Sequence, residues 1–279
     1  MSRVTYINGK YLNHSEALIS VNDRSFHFSD AVYEVIAVYN SKLIFWNDHL
    51  ERLKKSLSLL DINYDNNLKV LYYKCNQIIK SNRLIEGLIY LQISRGIAPR
   101  NHNWTDRIKP SLVISALHKD IFKNTRPVSL ITSKDIRWKY SHIKSTSLLA
   151  NVLLKNKAAK DHAYESLLIR DGYLTEGSAS NVFIIKDSVI KTPRLSNKLL
   201  PGITRKFLTN LIESNELPFD ECDITDKELL DADEIFCSSS TNPVVPIIQV
   251  NDKKICDEAG PMSMKLYNCA QDFIKENYS

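Results

Sequence analysis

Apolar and polar residues repeat at two different periods along this chain, and the changes of period mark its elements. Val4 and Tyr6 before Asn8-Gly9, with Tyr11 and Leu12 after it, predict a β-hairpin, because both turn residues tolerate the positive φ of a type I′ turn. A second hairpin is expected from Tyr33 to Phe45, two apolar runs around Asn40-Ser41. The period then lengthens. Leu50, Leu53, Leu57 and Leu60 form a stripe at helical spacing, with Asn47 or Asp48 placed to cap it. A further helix is expected over 68–81, followed by strands at 88–94, 112–116 and 128–132. Beyond these the pattern predicts a helix over 148–160 and three short strands within 165–190, turning at Arg170-Asp171-Gly172 and Lys186-Asp187-Ser188. A helix from Gly202 to Ser214, a strand over 233–239 and a closing helix over 262–276 complete the reading.

This order predicts an α+β protein of two domains. A small N-terminal α/β domain is expected over 1–120, a linker over 121–127, and a larger, barrel-like β-rich domain with attached helices over 128–279. No segment repeats at a fixed period, which argues against a solenoid or propeller.

Composition narrows the class further. Hydrophobic residues are 43% and charged residues 25% of the 279, the balance of an ordinary globular protein. The net charge is +5, without the basic blocks interleaved with aromatics that track a nucleic-acid backbone. Lys155, Lys157 and Lys160, followed by Asp161 and Glu165, read as a solvated helix face. Such a charge suits small phosphorylated or carboxylated molecules as partners. The five cysteines are scattered and form no CxxC pair, so neither a metal site nor a disulfide framework is indicated. With no signal-peptide run and no stretch near ~20 apolar residues, a soluble cytoplasmic protein without membrane partners is expected.

Five segments could carry chemistry, and each also has a plain structural reading. Lys144, in Ile143-Lys144-Ser145-Thr146, stands between a strand and a helix; desolvated there it would be a nucleophile toward carbonyls, but taken alone the segment reads better as a solvated surface lysine, since most lysines are solvated. Thr175-Glu176-Gly177-Ser178 either lets backbone approach a ligand beside one acid or is a polar turn. Leu200-Pro201-Gly202-Ile203-Thr204 opens a helix, where unpaired N–H groups suit a phosphate, or it is a simple Pro-Gly turn. The hydroxyls of Ser238 to Thr241 could bind an anion or their own turn. Arg100 and His102, two apart on one loop, could converge on a carboxylate, the arginine by its fork, or be exposed loop residues.

Taken in order, these segments resemble fold-type IV pyridoxal-phosphate enzymes, the group of branched-chain aminotransferases, aminodeoxychorismate lyases and D-amino-acid aminotransferases. The resemblance runs from Tyr6-Ile7-Asn8-Gly9 to the last helix and is carried by Val32-Tyr33-Glu34-Val35, His49-Leu50-Glu51-Arg52-Leu53, Ile143-Lys144-Ser145 and Thr175-Glu176-Gly177-Ser178. It implies Lys144 as the lysine that binds pyridoxal 5′-phosphate as a Schiff base, and Glu176 as the partner of the ring nitrogen. It implies that Arg52, the backbone of Ile203 and Thr204, and Ser240 with Thr241 hold the phosphate, with Leu200 against the ring. Tyr33 falls on an active-site tyrosine of the group. The Arg95 to His102 segment is similar to the carboxylate trap of the D-amino-acid branch, in which Arg100 and His102 reach the neighbouring subunit of a homodimer. The implied reaction is transamination between a D-amino acid such as D-alanine and a 2-oxo acid such as 2-oxoglutarate, with the lyase and the branched-chain L-aminotransferase as alternatives. Ser29-Asp30-Ala31 departs from the usual Gly-Asp-Gly, and Ser240 from the usual threonine.

Overall fold

A computed structural model describes residues 3–64, 67–123 and 126–279. They form two compact units, one of Met1–Ile121, Ile143–Ser147 and Tyr278–Ser279, the other of Phe122–His142 and Leu148–Asn277. Residues 124 and 125 of the expected linker lie outside the described residues.

In the first unit β1 (Val4–Ile7) and β2 (Lys10–Asn13) form the expected hairpin, with Asn8 and Gly9 at φ 45° and 97°. After the short helix α1 (Arg24–Phe28) come β3 (Ala31–Tyr39), β4 (Lys42–Leu43), α2 (Trp46–Leu59), α3 (Lys69–Asn82), β5 (Gly87–Ser94) and β6 (Ser111–His118). Among the described residues the sheet has six strands in the order β2-β1-β6-β5-β3-β4. Alternation along β3 turns Val32, Glu34, Ile36 and Val38 inward, against Leu53 and Leu57 of α2 and the core that α3 completes with Leu71, Cys75 and Ile78. Each such aliphatic side chain contributes about 1.5–3 kcal/mol by leaving water. Two local expectations change. Phe45 is left-handed (φ 51°) and ends the hairpin early, and it, rather than Asn47 or Asp48, precedes the first turn of α2.

The segment Ile143–Ser147, expected in the larger domain, belongs to the first unit. The cause is backbone pairing. Because β4 pairs only with Val38 and Tyr39, the early edge of β3 stays open, and this strap takes it. Tyr33 N donates to Lys144 O at 3.0 Å and Thr146 N to Ala31 O at 3.0 Å, and Val32 bridges Ser145.

The second unit runs through β7 (Val128–Lys134), α4 (Leu149–Lys160), β8 (Glu165–Arg170), β9 (Tyr173–Gly177), β10 (Asn181–Lys186) and β11 (Val189–Pro193). It continues with α5 (Ile203–Ser214), β12 (Phe219–Cys222), α6 (Asp226–Leu230), β13 (Glu234–Ser238), β14 (Val245–Val250), β15 (Lys253–Lys254) and α7 (Pro261–Tyr278), whose last residue, Tyr278, groups with the first unit. Four strands rather than three occupy the stretch from Glu165, because the chain breaks at Ser178–Ser180 between β9 and β10. Among the described residues the sheet order is β12-β11-β10-β13-β14-β7-β8-β9, with β15 beside β14. This order forces the sheet to curl. Five ladder steps separate β10 from β9, about 24 Å in a flat sheet, yet the link from Gly177 to Asn181 reaches no more than about 14 Å. The curled sheet encloses Leu130, Leu167, Leu174, Val182, Ile235 and Val245. Among the described residues no helix is long and apolar enough to cross a membrane.

Candidate active site

Within the first unit the strap sets Lys144. Its backbone is fixed from two sides, by Tyr33 as above and by Ser56 Oγ, which accepts from Lys144 N at 3.3 Å. The half-buried side chain brings Nζ to 4.4 Å from the Tyr33 ring centroid, and that ring stacks in turn on Tyr90 at 5.6 Å. A lysine so placed loses freedom and water together, the conditions that make an amine a nucleophile.

Helix α2 supplies the cation beside this strap. His49, Arg52 and Ser56 are buried with Leu53 and Leu57, at spacings that put all five on one face. His49 and Arg52 point at Glu34, the one acid on the inner face of β3, while Ser56 faces the strap. Arg52 Nε donates to Glu34 Oε1 at 2.8 Å and Nη2 to Oε2 at 2.6 Å, while His49 Nδ1 lies 2.7 Å from Oε2. Burial alone would raise the Glu34 carboxyl, but Arg52 and His49 hold it down to about 2. Burial lowers the pKa of His49 against the pull of Glu34. Glu34 and His49 were not marked by the sequence as site residues; the signal was the 49/52/56 spacing beside the leucine stripe.

Arg100 and His102 lie on an exposed loop of the same unit. Both contact Phe28, and among the described residues neither makes a hydrogen bond or ring contact with Lys144 or Tyr33.

The second unit holds Glu176, 5% exposed, at the end of β9. Oε1 accepts from Arg137 Nη1 and, at 3.1 Å, from Leu200 N, and Oε2 accepts from Asn181 Nδ2 at 3.1 Å. Glu176 and Leu200 are thereby joined directly. Arg137 is shared, since its Nε and Nη2 donate to the two oxygens of Asp135 at 2.9 Å each, and Arg170 also reaches Asp135 at 3.0 Å. With its arginine turned mainly to Asp135, Glu176 is incompletely compensated. Burial pushes its carboxyl up to about 7, against the lowering effect of Arg137. Arg137 and Asp135 were missed because they follow β7 in Lys134-Asp135-Ile136-Arg137, a charged stretch that reads as solvent-facing chain.

Ile203 and Thr204 are the first residues of α5, whose N-cap Gly202 offers no side chain; their amides have no partner within the helix. A Cβ on Gly202 would sit 2.0 Å from Asn181 Oδ1, so any larger residue there would displace the Asn181 side chain that bonds Glu176. Ser240 and Thr241 lie in the turn after β13, closed by Ser239 N donating to Asn242 O at 2.9 Å. Ser238 Oγ and Asn242 Oδ1 beside them are buried and unpartnered. Within the second unit, open amides at a helix start and the unpartnered Ser238 hydroxyl fit a phosphate, and the buried Glu176 fits a cationic ring nitrogen. Within the first unit, the Lys144 amine against an aromatic ring fits an aldehyde, so that each unit by itself carries groups suited to pyridoxal phosphate. Among the described residues no cluster could hold a metal ion.

Comparison with known proteins agrees with this architecture. The family model for amino-transferase class IV matches residues 31–250. A D-alanine aminotransferase of Listeria innocua serovar 6a is 36% identical over 268 residues, 94% of this chain and 93% of that one. One of Bacillus licheniformis is 36% identical over 270 residues, 96% and 95% of the two chains. Among solved structures, a branched-chain aminotransferase from Thermoproteus uzoniensis with norvaline superposes with a TM-score of 0.91 at 22% identity, covering 100% of this chain and 97% of that one. The branched-chain amino acid aminotransferase of Escherichia coli gives 0.89 at 22% identity, over 98% and 94%. The matched family spans both units and the segments that carry Tyr33, Arg52, Lys144, Glu176 and Thr241, and the chain belongs to the class IV aminotransferases.

Proposed function

We propose that this chain is a pyridoxal 5′-phosphate-dependent D-amino-acid aminotransferase, exchanging the amino group of a D-amino acid such as D-alanine for the oxygen of a 2-oxo acid such as 2-oxoglutarate. The observation that carries the reading is the strap, which holds the Lys144 amine 4.4 Å from the Tyr33 ring centroid on the edge of β3. Support for the D-specific branch comes from relatives named D-alanine aminotransferase at 36% identity and from the Arg100/His102 pair.

When bound, pyridoxal phosphate supplies an electron sink for charge left at a substrate Cα. Lys144 Nζ would hold it, and as a free amine would carry the proton to and from the substrate Cα. Glu176 would meet the ring nitrogen and hold a proton there; a cationic N–H beside it would lower its pKa from about 7 toward the ionised state. Arg52 of the first unit and, of the second, the Ile203 and Thr204 amides, Ser240 and Thr241 are the groups that would bind the phosphate, and Leu200 is the residue that would meet the ring. Tyr33, Arg100 and His102 bind substrate, the last two by its carboxylate, which decides the face of Cα that Lys144 meets. A cytoplasmic homodimer, in which Arg100 and His102 serve the neighbouring subunit, completes the reading.

Purified protein is expected to show the visible absorbance of bound cofactor and to turn over D-alanine but not L-alanine with 2-oxoglutarate. Lys144→Ala abolishes both the absorbance and turnover. Activity confined to L-amino acids, or absorbance and turnover that persist in the variant, overturns the proposal.

A further inference from the structure

The loop that bears Arg100 and His102 is exposed, and a side chain waving in water has rotamer freedom to lose before it can grip a carboxylate. Helix α1 removes that freedom. Arg24 is 3% exposed; its Nε donates to Asp30 Oδ2 at 2.7 Å, Nη1 to Asn101 O at 2.5 Å and Nη2 to His102 O at 3.3 Å. One guanidinium therefore grips the two carbonyls that follow Arg100. Phe28, one turn further along α1, offers its ring to both of the proposed carboxylate contacts. The Arg100 guanidinium carbon lies 5.1 Å from its centroid, the His102 ring 5.2 Å away, and Arg24 itself 4.8 Å away. Cation–π attraction thus orients Arg100 before any ligand arrives.

The base of the loop is fixed as well. Arg95 Nε donates to the same Asp30 Oδ2 at 2.8 Å, and the Arg95 guanidinium carbon lies 4.0 Å from the Trp104 ring at the far end of the loop. Gly96 is at φ 116°, and a Cβ there would sit 2.0 Å from Lys109 O, so the chain crosses itself closely at this point.

We infer that Arg24 and Phe28 are positioning residues for carboxylate capture: they hold Arg100 and His102 in one arrangement, so that the affinity for amino and oxo acids depends on two side chains with no substrate contact of their own. The inference rests on the proposed role of Arg100 and His102. Lysine at position 24 cannot replace the arginine, because one ammonium lacks the planar fork that reaches a carboxylate and two carbonyls together.

The test compares the wild-type holoenzyme with Phe28→Leu, Arg24→Lys and Arg100→Ala. Phe28→Leu keeps an apolar side chain and removes the ring. Each positioning variant is expected to raise KM for D-alanine and for 2-oxoglutarate about tenfold, with kcat within about twofold and the cofactor spectrum and Tm retained. Phe28→Leu added to Arg100→Ala is expected to raise KM by clearly less than the product of the two single effects, because only its hold on His102 remains to be lost. A general loss of structure would instead lower kcat or Tm and add in full to the effect of Arg100→Ala. Unchanged KM in Phe28→Leu, with KM raised in Arg100→Ala, overturns the inference and leaves the role of Arg100 standing. Unchanged KM in Arg100→Ala overturns that role and the inference with it.

Discussion

Burial sets the Glu176 carboxyl at about 7 because its arginine is engaged mainly by Asp135, and the shift has a consequence for stability. An acid raised in the folded state binds more protons folded than unfolded, so its contribution is fully present below the ordinary carboxylate pKa and is lost as pH rises through about 7. In the cofactor-free protein, wild-type stability relative to Glu176→Gln is therefore expected to fall by about 2 kcal/mol between pH 5 and 7.5. Urea unfolding at the two pH values measures it; a difference that stays constant or grows with pH would show that Arg137 keeps the carboxylate ionised throughout. Single residues differ in how well sequence exposes such roles. Lys144 and Glu176 stand in short motifs whose order along the chain is informative. Arg137 acts through a partner 39 positions away, and no local pattern marks that pairing.

Between elements, β3 and α2 are joined by the Glu34 pair as well as by leucines. A bidentate guanidinium and an imidazole hold one carboxylate in a site where Glu34 is 1% and Arg52 8% exposed, so removing the negative charge leaves a buried cation uncompensated. Glu34→Gln is expected to destabilise the protein by about 3 kcal/mol or more and to weaken cofactor binding through a misdirected Arg52. Denaturant unfolding and a cofactor titration check the two effects, and normal values in both would mean that the pair is dispensable. The elements themselves were legible wherever one period persisted: the Asn8-Gly9 hairpin, the Leu53/Leu57 face of α2 and the closing helix all lie where alternation or the helical stripe put them. Those missed lack a period. β12 is a four-residue edge strand reading Phe-Asp-Glu-Cys, α6 has five residues whose start is defined by a Thr225/Glu228 capping box, and β14 contains Pro246, which argues against an inner strand. The strap was misassigned for a different reason. Its partner is the edge of a strand more than a hundred residues earlier, a pairing decided by where β4 stops.

At the scale of the whole molecule, the loop bearing Arg100 and His102 is braced by its own chain, while the proposed reaction needs that loop at the Lys144 of a neighbour. If each subunit lends its loop to the other, two differently broken chains can repair one site between them. A dimer of one Lys144→Ala chain and one Arg100→Ala chain has one site with an intact lysine and an intact loop, and one site lacking both. Random reassociation of equal amounts makes about half of the dimers mixed, each with one of two sites active, so about a quarter of wild-type activity is expected from parents that are nearly inactive at low substrate. Mixing the purified variants under conditions that exchange subunits, and assaying D-alanine turnover against time, measures the recovery. Its rate follows subunit exchange and its plateau follows the mixing ratio, with a maximum at equal amounts. Were each loop to serve its own chain, every dimer in the mixture would carry one defect per site. No recovery would then appear at any ratio, and the assignment of Arg100 and His102 to the partner's site would be lost.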